Sequence, residues 1–332
     1  MLNMLTHEEK MLRKGFIDDV SAPIQVLQEP YFTQRVELFE KDFGTLTDYK
    51  EYLSVIDKYA GGNIMVFRDT LRSLKDKIIN SVNNSGAYKD FCANDNLIKS
   101  LRKLTFKVGN TNLYTEVNKD CYFVSFDLKK ANFQALQWIN PAIVFDCDTY
   151  DEFIGKFTDI NWLAKSKISR QYIFGSLSSS NRLGSVEKQM MSDIEQFLSK
   201  TVLVDFFDLF SMNNDEIIYK LKPDYDFKES VKAVSSIVTE DFLKDNLSFN
   251  VRIEFFKLVR YTFKSVESDK EQNVYVKEKT TGKKDYKCAN TIYMPQTYKL
   301  INGIEVTDDD LVFYQNDCET AKFFNKLIFV GK

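Results

Sequence analysis

The chain has 332 residues, with 45 Lys and Arg against 48 Asp and Glu, and its formal net charge of −3 is not that of a strongly basic nucleic-acid binder. Its 44% hydrophobic content can build a sizeable core, and the 12 Gly and 5 Pro exclude a collagen-like or low-complexity chain. His7 is its one histidine, which argues against histidine-based zinc sites and against Ser-His-Asp or Cys-His catalysis.

The first third of the chain is predicted to be helical. Thr45 to Asp48 can cap an amphipathic run over residues 49–60, and Gly61-Gly62 can end it. Apolar side chains recur on one face of residues 64–82, which predicts a second helix. A third helix is expected over residues 96–104.

The middle of the chain begins with short strands and continues with helices. Residues 106–108, 113–117 and 121–126 have strand character and are separated by turn residues. Residues 131–198 are mainly helical in pattern, with a helix start at Thr149 marked by Glu152 three residues later. The last helix of this stretch, about 186–198, should bury Met190, Ile194 and Phe197.

The last third mixes strands and helices. Two apolar runs, 202–210 and 217–221, flank a polar turn and predict a β-hairpin. A helix is expected over about 226–243, and a second hairpin over 274–294 with its turn at 281–283. Together these elements predict one mixed α+β unit with an antiparallel sheet.

The sequence also predicts where in the cell the protein is located. No apolar run approaches the roughly 20 residues of a membrane span, and the N-terminus carries charges where a signal peptide is apolar. The cysteines are odd in number and include no Cys-x-x-Cys pair. Free thiols in a reducing, cytoplasmic compartment are therefore expected, within a host cell if the protein is viral.

Acidic residues follow apolar strands at two places in the chain. VSFDLKKANFQAL, residues 124–136, delivers Asp127 to a strand end, and SMNNDEIIYKL, residues 211–221, places Asp215 and Glu216 at the tip of the first hairpin. If these strands share a sheet, Asp127 and Asp215 approach each other, and two converging carboxylates repel unless a cation compensates them. The pattern predicts Mg²⁺ or Mn²⁺ held by Asp127 and Asp215, with Glu216 as a third catalytic acid.

Basic residues lie between and beyond these acids. In a helix, Lys167, Arg170 and Phe174 share one face, where two cations and an aromatic ring can bind a nucleoside triphosphate. Further candidates for contact with a nucleic-acid backbone are the following: Arg182, Lys188, Lys283 and Lys284.

Purely structural interpretations exist for each feature. An Asp after a strand is often a helix cap, and Asn-Asn-Asp-Glu is an ordinary polar turn. The basic helix face can simply be solvated, with Phe174 in the core. The combination of the acids and the intervening basic helix is what favours catalysis.

This arrangement resembles the palm and fingers of family A DNA polymerases and the related single-subunit phage RNA polymerases. In that family a strand-borne Asp opens motif A, as Asp127 does here. A cation followed four positions later by Phe-Gly lies on the nucleotide-binding helix, as in residues 170–175. Motif C is His-Asp-Glu on a hairpin, similar to residues 214–216. The resemblance implies that Asp127 and Asp215 ligate the metals, Arg170 binds phosphates and Phe174 positions the nucleotide.

Several positions depart from the family pattern. The motif A carboxylate that helps select deoxyribose is replaced by Asn132, and Asn214 stands in place of the motif C histidine. Ser178 and Ser166 occupy the positions of a family tyrosine and a second family arginine. The resemblance spans about residues 120–221, and Asn132 leaves the choice of sugar open.

The resemblance implies a compact template-directed DNA or RNA polymerase. Residues 1–105 would form a helical thumb-like region, and residues 106–332 a palm with a fingers-like insertion at about 128–200 and a C-terminal appendage of strands and helix. Its partners would be a primer-template and a nucleoside triphosphate, with a further protein partner left open.

Two alternatives remain open at this point. Residues 126–131, Phe-Asp-Leu-Lys-Lys-Ala, are also similar to motif A of reverse transcriptases, although no Pro-Gln-Gly segment precedes the second acidic motif. The chain could instead be a non-catalytic structural or interaction protein of viral or phage origin, in which case the acids would lie far apart.

Overall fold

The computed structural model describes residues 5–102, 104–266, 271–315 and 319–332. Its N-terminal third consists of packed helices, as predicted. Their bounds are α1 His7–Val20, α2 Tyr31–Leu38, α3 Glu40–Phe43, α4 Thr45–Ala60, α5 Ile64–Asn84, α6 Gly86–Ala93 and α7 Asp95–Arg102.

The caps of α4 and α5 explain where these two helices begin and end. The carboxylate of Glu40 accepts hydrogen bonds from the backbone N–H groups of Leu46 and Thr47, so α4 begins at Thr45 itself. It ends at Gly61, whose positive φ of 56° suits glycine. The side chain of Asn63 then caps α5. Helix α6, which the sequence analysis missed, begins after Ser85, whose hydroxyl accepts from the N–H of Tyr88 and caps the helix.

The middle of the chain carries one strand and a series of helices. Their bounds are β1 Tyr122–Leu128, α8 Ala131–Ile139, α9 Tyr150–Gly155, α10 Trp162–Lys165, α11 Lys167–Gly175 and α12 Leu183–Leu198. The predicted cap at Thr149 is confirmed, because its hydroxyl accepts from the N–H of Glu152. Met190 and Ile194 of α12 are fully buried, whereas Phe197 is only partly buried.

The last third supplies the rest of the sheet. The bounds are α13 Leu203–Phe206, β2 Phe207–Met212, β3 Glu216–Leu221, α14 Phe227–Ser235, α15 Glu240–Leu247, β4 Val251–Lys264, β5 Glu271–Lys279, β6 Lys284–Cys288, α16 Met294–Ile301, β7 Val312–Gln315, β8 Glu319–Lys322 and β9 Ile328–Gly331.

The main sheet is antiparallel in every pairing described, with the strand order β2-β3-β1-β4-β5-β6, and β9 pairs with β4. Both predicted hairpins, β2–β3 and β5–β6, are confirmed. Strands β7 and β8 form a separate pair. The molecule is therefore a mixed α+β protein with an antiparallel sheet, as expected.

The two faces of the sheet differ. Val124, Phe126 and Leu128 of β1 belong to the large core shared with the helices, which extends from the N-terminal helices to α16. Phe123 packs on the opposite face in a smaller cluster with Ile218 and other side chains. Because side chains alternate along a strand, Asp127 lies on the same face as Phe123. This face is only partly covered.

Two predicted strands and one predicted helix are wrong. Residues 106–108 and 113–117 are irregular, because Asn118 donates from its side chain to the Leu113 carbonyl and closes a turn there. Residues 226–243 form parts of two helices, α14 and α15, because Thr239 caps a new helix start. The apolar run 202–210 begins with the short helix α13 before β2.

A buried ion pair joins the two ends of the chain. Arg35 of α2 donates to Asp310 across 2.9 Å, and both side chains are at most 2% exposed. Lys299 of α16 lies 2.6 Å from the second carboxylate oxygen of Asp310. Burial lowers the pKa of Arg35, and the neighbouring acid opposes this shift. The segment before β7 is thus attached to the N-terminal helices.

No helix in the described ranges is long and apolar enough to cross a membrane. Four cysteines are free thiols: Cys92, Cys121, Cys147 and Cys288. Cys318 lies outside the described residues.

Candidate functional site

Strand register brings the two acidic motifs together. Asp127 is the cross-strand partner of Glu216 on β3 and of Arg252 on β4. The backbone N–H of Leu128 donates to the Asp215 carbonyl across 2.8 Å, so the hairpin tip lies beside the end of β1. Asp127, Asp215 and Glu216 are called the acidic site below.

The tip of the β2–β3 hairpin is held by Asn213. Its side-chain oxygen accepts from the backbone N–H groups of Asp215, at 2.9 Å, and Glu216, at 2.7 Å. Such a side-chain turn fixes the backbone of both acids. Asp215 itself is exposed, whereas Glu216 is half-buried.

Asp127 has an unusual electrostatic environment. Burial raises its pKa to about 6, and the nearby charges of Glu216, Asp215 and Glu254 push it in the same direction. The Arg252 guanidinium opposes the rise and donates to the Asp127 carboxylate across 2.8 Å. Negative charge therefore converges on Asp127, and a single half-exposed arginine compensates part of it.

Charges alternate across the same face of the sheet. Lys277 of β5 lies 3.5 Å from Glu216, and Lys279 lies 2.7 Å from Glu254 of β4. Arg252 also approaches Glu254, at 3.6 Å. Lys279 and Arg252 lie on strands that pair with those of Glu254 and Asp127, whereas Lys277 reaches Glu216 from β5, three strands from β3. The acidic site is therefore the centre of a wider charge network.

Helix α12 closes the acidic site from the helical side. Glu187 is 8% exposed, and burial followed by the charge of Asp215 raises its pKa to about 7. Asn132 of α8 donates to Glu187 across 2.6 Å. The helix can approach because Gly184 lacks a side chain; a Cβ there would lie 3.3 Å from the Asn214 amide nitrogen.

A polar pocket of about 310 Å³ opens beside Glu216. The loop before β1 and the β2–β3 hairpin form its walls, and Ser211 accepts a hydrogen bond from the N–H of Thr111 to hold the loop in place. Asn213 and Lys277 also line it. The acidic site is therefore reachable by a ligand from this side.

The acidic site supplies carboxylate oxygens, the type of ligand that Mg²⁺ prefers. Within the described residues, no group of three or more His, Cys, Asp and Glu side chains forms a ready-made metal site. Mg²⁺ is commonly held by one or two carboxylates, with waters and substrate phosphates as its other ligands. Burial is the main cause of the raised pKa of Asp127, the charges of Glu216 and Asp215 add to it, and a bound cation would oppose both effects.

The predicted nucleotide-binding residues lie on α11, which is helical as expected. Lys167 is exposed at its first turn, but Phe174 is 1% exposed and packs near the rings of Tyr150 and Phe153. With its ring in the core, Phe174 offers no free surface for stacking on a base. Arg170 is half-buried and close enough to Tyr150 to oppose the rise in that residue's pKa.

Tyr150 lies close to both Arg170 and Lys130, and Lys130 follows the end of β1. Its ring centroid lies 4.8 Å from the ammonium of Lys130, three residues after Asp127. Lys130 also pairs with Asp151 across 2.8 Å. Arg170 and Lys130 thus lie around one ring next to the strand that carries the catalytic candidate.

The other predicted basic contacts are scattered. Arg182 pairs with Asp95 across 2.9 Å, and Lys188 donates to the carbonyl of Leu104. Lys283 is exposed in the β5–β6 turn, and Lys284 reaches Asn302 at 3.4 Å. Their role in nucleic-acid binding stays a prediction.

Sequence reasoning missed most of the residues that surround Asp127. Strand β4 was not recognised, although polar Arg252 and Glu254 alternate there with Val251, Ile253 and Phe255. That alternation is the signal that could have found it. Glu187 carries no such signal, because only the packing of α12 brings it to Asp215.

No protein-family model and no curated protein matches this chain. Inferences about its function therefore depend on the geometry of the acidic site.

Proposed function

We propose that the chain is a metal-dependent nucleotidyltransferase of the right-hand palm type that extends a nucleic-acid strand on a template. One observation supports this most: Asp127 faces the Asp215-Glu216 hairpin tip on adjacent antiparallel strands, on the sheet face that the large core does not cover. Such a palm requires a sheet with helices packed on one face and acidic side chains close together on the other.

The proposed reaction is attack of a primer 3′-hydroxyl oxygen on the α-phosphorus of a nucleoside triphosphate. The new P–O bond forms as the bond to the bridging oxygen of the β-phosphate breaks, so pyrophosphate leaves and the hydroxyl proton passes to solvent. Asp127 and Asp215 would hold Mg²⁺ or Mn²⁺, which activates the hydroxyl and neutralises the leaving group.

The chain's own residues have distinct tasks in this proposal. Asn213 fixes the backbone of Asp215 and Glu216. Arg170 and Lys130 supply positive charge for phosphate beside the end of β1. Asp127 must be ionised to serve as a ligand, and its pKa of about 6 places that ionisation just below neutral pH.

The test is primer extension with Mg²⁺ or Mn²⁺ on DNA and RNA templates, offered deoxyribonucleotides or ribonucleotides in separate reactions. We expect extension by the unchanged protein and none by Asp127→Asn. Asp208→Asn is the matched control, because Asp208 lies on β2 of the same sheet with its side chain 72% exposed. Extension only on RNA with deoxyribonucleotides would identify the reverse-transcriptase alternative. Equal extension by Asp127→Asn and the unchanged protein would refute the proposal.

A second candidate is a non-catalytic protein whose acids belong to a structural charge network. The pairing of Asp127 with Arg252 favours it, since the acid already has an internal cation. Such a protein would show no Mg²⁺-dependent rise in melting temperature, whereas the polymerase proposal expects a rise that Asp127→Asn removes.

A further inference from the structure

A second polar cavity, of about 470 Å³, lies between α1, α5 and α11, and no residue of the acidic site lines it. Three cations of α5 line it: Arg68, Arg72 and Lys75. They lie four and three residues apart and so form one stripe, with steps of about 6 and 4.5 Å along the helix axis. This cavity is called the basic groove below.

The cations of the basic groove have carboxylates nearby but none close enough to form an ion pair in the described residues. Across the described ranges, none of the three forms an ion pair, and the Arg68 guanidinium instead contacts the Met11 sulfur at 2.8 Å, a weak acceptor. Burial lowers the pKa of Lys75, and the charges of Arg68 and Arg72 add to this, while Asp19 and Asp76 oppose it. Unpaired, crowded cations favour an anion.

The opposite wall of the groove offers apolar and aromatic surface. Tyr172 of α11 is 45% exposed, and its ring centroid lies 4.9 Å from the Lys75 ammonium. Ile168 of the same helix is 46% exposed, and Met65, on the α5 wall that carries the cations, is 37% exposed. A ring beside cations is the combination that binds a base and its phosphate together.

The groove also contains three acids, and they restrict the ligand. Asp19 is already engaged, because Trp162 donates to it across 2.7 Å and Ser166 donates to its other oxygen. Asp18 and Asp69 are exposed. Such carboxylates repel a simple polyanion but can accept hydrogen bonds from the amino groups of a base.

We propose that the basic groove binds a nucleotide unit, with its phosphates on Arg68, Arg72 and Lys75 and its base on Tyr172. The unit can belong to a single-stranded nucleic acid or to a free nucleotide. Nothing in this inference requires the acidic site to be catalytic.

The test measures fluorescence anisotropy of a labelled single strand of about 12 nucleotides, without divalent metal, over a series of salt concentrations. Tyr172→Ala should weaken binding roughly fivefold or more, because it removes a stacking surface. Arg68→Ala/Arg72→Ala should lower the slope of log affinity against log salt by about 1.4, since two phosphate contacts are lost.

Lys77→Ala is the matched control, because Lys77 is exposed on the far side of α5 and changes the charge of the same helix. It should alter neither affinity nor slope. Displacement of the strand by unlabelled nucleoside triphosphate at micromolar concentration would identify a free nucleotide as the ligand, and displacement only by unlabelled strand would identify nucleic acid.

No binding by the unchanged protein, or equal weakening by Lys77→Ala and the groove variants, would overturn the inference. Asp127→Asn separates it from the proposed reaction. This variant should lose extension and keep strand binding. The proposed reaction and the proposed binding by the basic groove can therefore fail independently.

Discussion

The acidic site and the basic groove show two ways in which a chain places charge. In the sheet, register places Asp127 opposite both Arg252 and Glu216, and the side chain of Lys277 reaches Glu216 from β5, three strands from β3. On α5, spacing aligns Arg68, Arg72 and Lys75 with each other, and the acids of the groove, Asp18, Asp19 and Asp69, form no close ion pair with them in the described residues. The sheet therefore joins its charges in ion pairs, whereas the three cations of the groove are not held in ion pairs.

The largest expected effect tests whether the acids of the acidic site are catalytic or only structural. We expect Asp215→Asn to lower the extension rate at least about a hundredfold, since metal-ion charge stabilisation is several kcal/mol and each 1.36 kcal/mol is tenfold in rate. Circular dichroism and melting temperature should stay unchanged, because Asp215 is exposed. Asp208→Asn serves as the control here too, and an unchanged rate in Asp215→Asn would remove that acid from the reaction.

Asn213 tests whether the hairpin tip must be rigid. Asn213→Ala removes the acceptor for two backbone N–H groups, each worth about 1 kcal/mol, and should slow extension about tenfold. Steady-state kinetics should place the loss in kcat more than in the KM for the nucleotide. The conservative variant Asn213→Asp keeps an acceptor and should recover part of the rate; equal loss in both variants would argue against a positioning role.

Arg252 tests the competition between an internal cation and a metal ion. At pH 8, Arg252→Ala should bind Mg²⁺ about 1.4- to fivefold more tightly, the range expected for a half-exposed ion pair of about 0.2–1 kcal/mol. Calorimetric titration measures this. Lys257→Ala is matched, because Lys257 lies on the same strand and pairs with Asp120 at 2.7 Å. Unchanged Mg²⁺ affinity in Arg252→Ala would place the ion away from Asp127.

The smallest expected effect is the pH dependence caused by Glu187. Its folded pKa of about 7 exceeds the ordinary value of 4.5, so its contribution to stability is present below pH 4.5 and is lost as pH rises through 7. Glu187→Gln should remove this loss and melt about 2–4 °C higher than the unchanged protein at pH 8, with a smaller difference at pH 5. Melting curves at both pH values check this, and equal differences would show that Glu187 is not the titrating group.

Features set by neighbouring residues in the sequence could be predicted, whereas features set by packing between distant segments could not. The pairing of Asp127 with the 214–216 tip was predictable, because alternating apolar strands and a polar turn are local patterns. Arg252 was missed only because β4 was not recognised. The burial of Phe174 could not be read from α11 alone, since Tyr150 and Phe153 cover it. The basic groove needs three helices that are distant in sequence, and no local pattern encodes their packing.

The Arg35–Asp310 pair restricts how the chain can be shortened. A protein truncated after α16 would retain Arg35 buried among the N-terminal helices but would lack Asp310, its counter-charge. Removing one partner of a buried ion pair costs about 3–5 kcal/mol. A minimal active fragment should therefore extend beyond residue 310, even though the acids, the phosphate-binding candidates and the basic groove all precede residue 260.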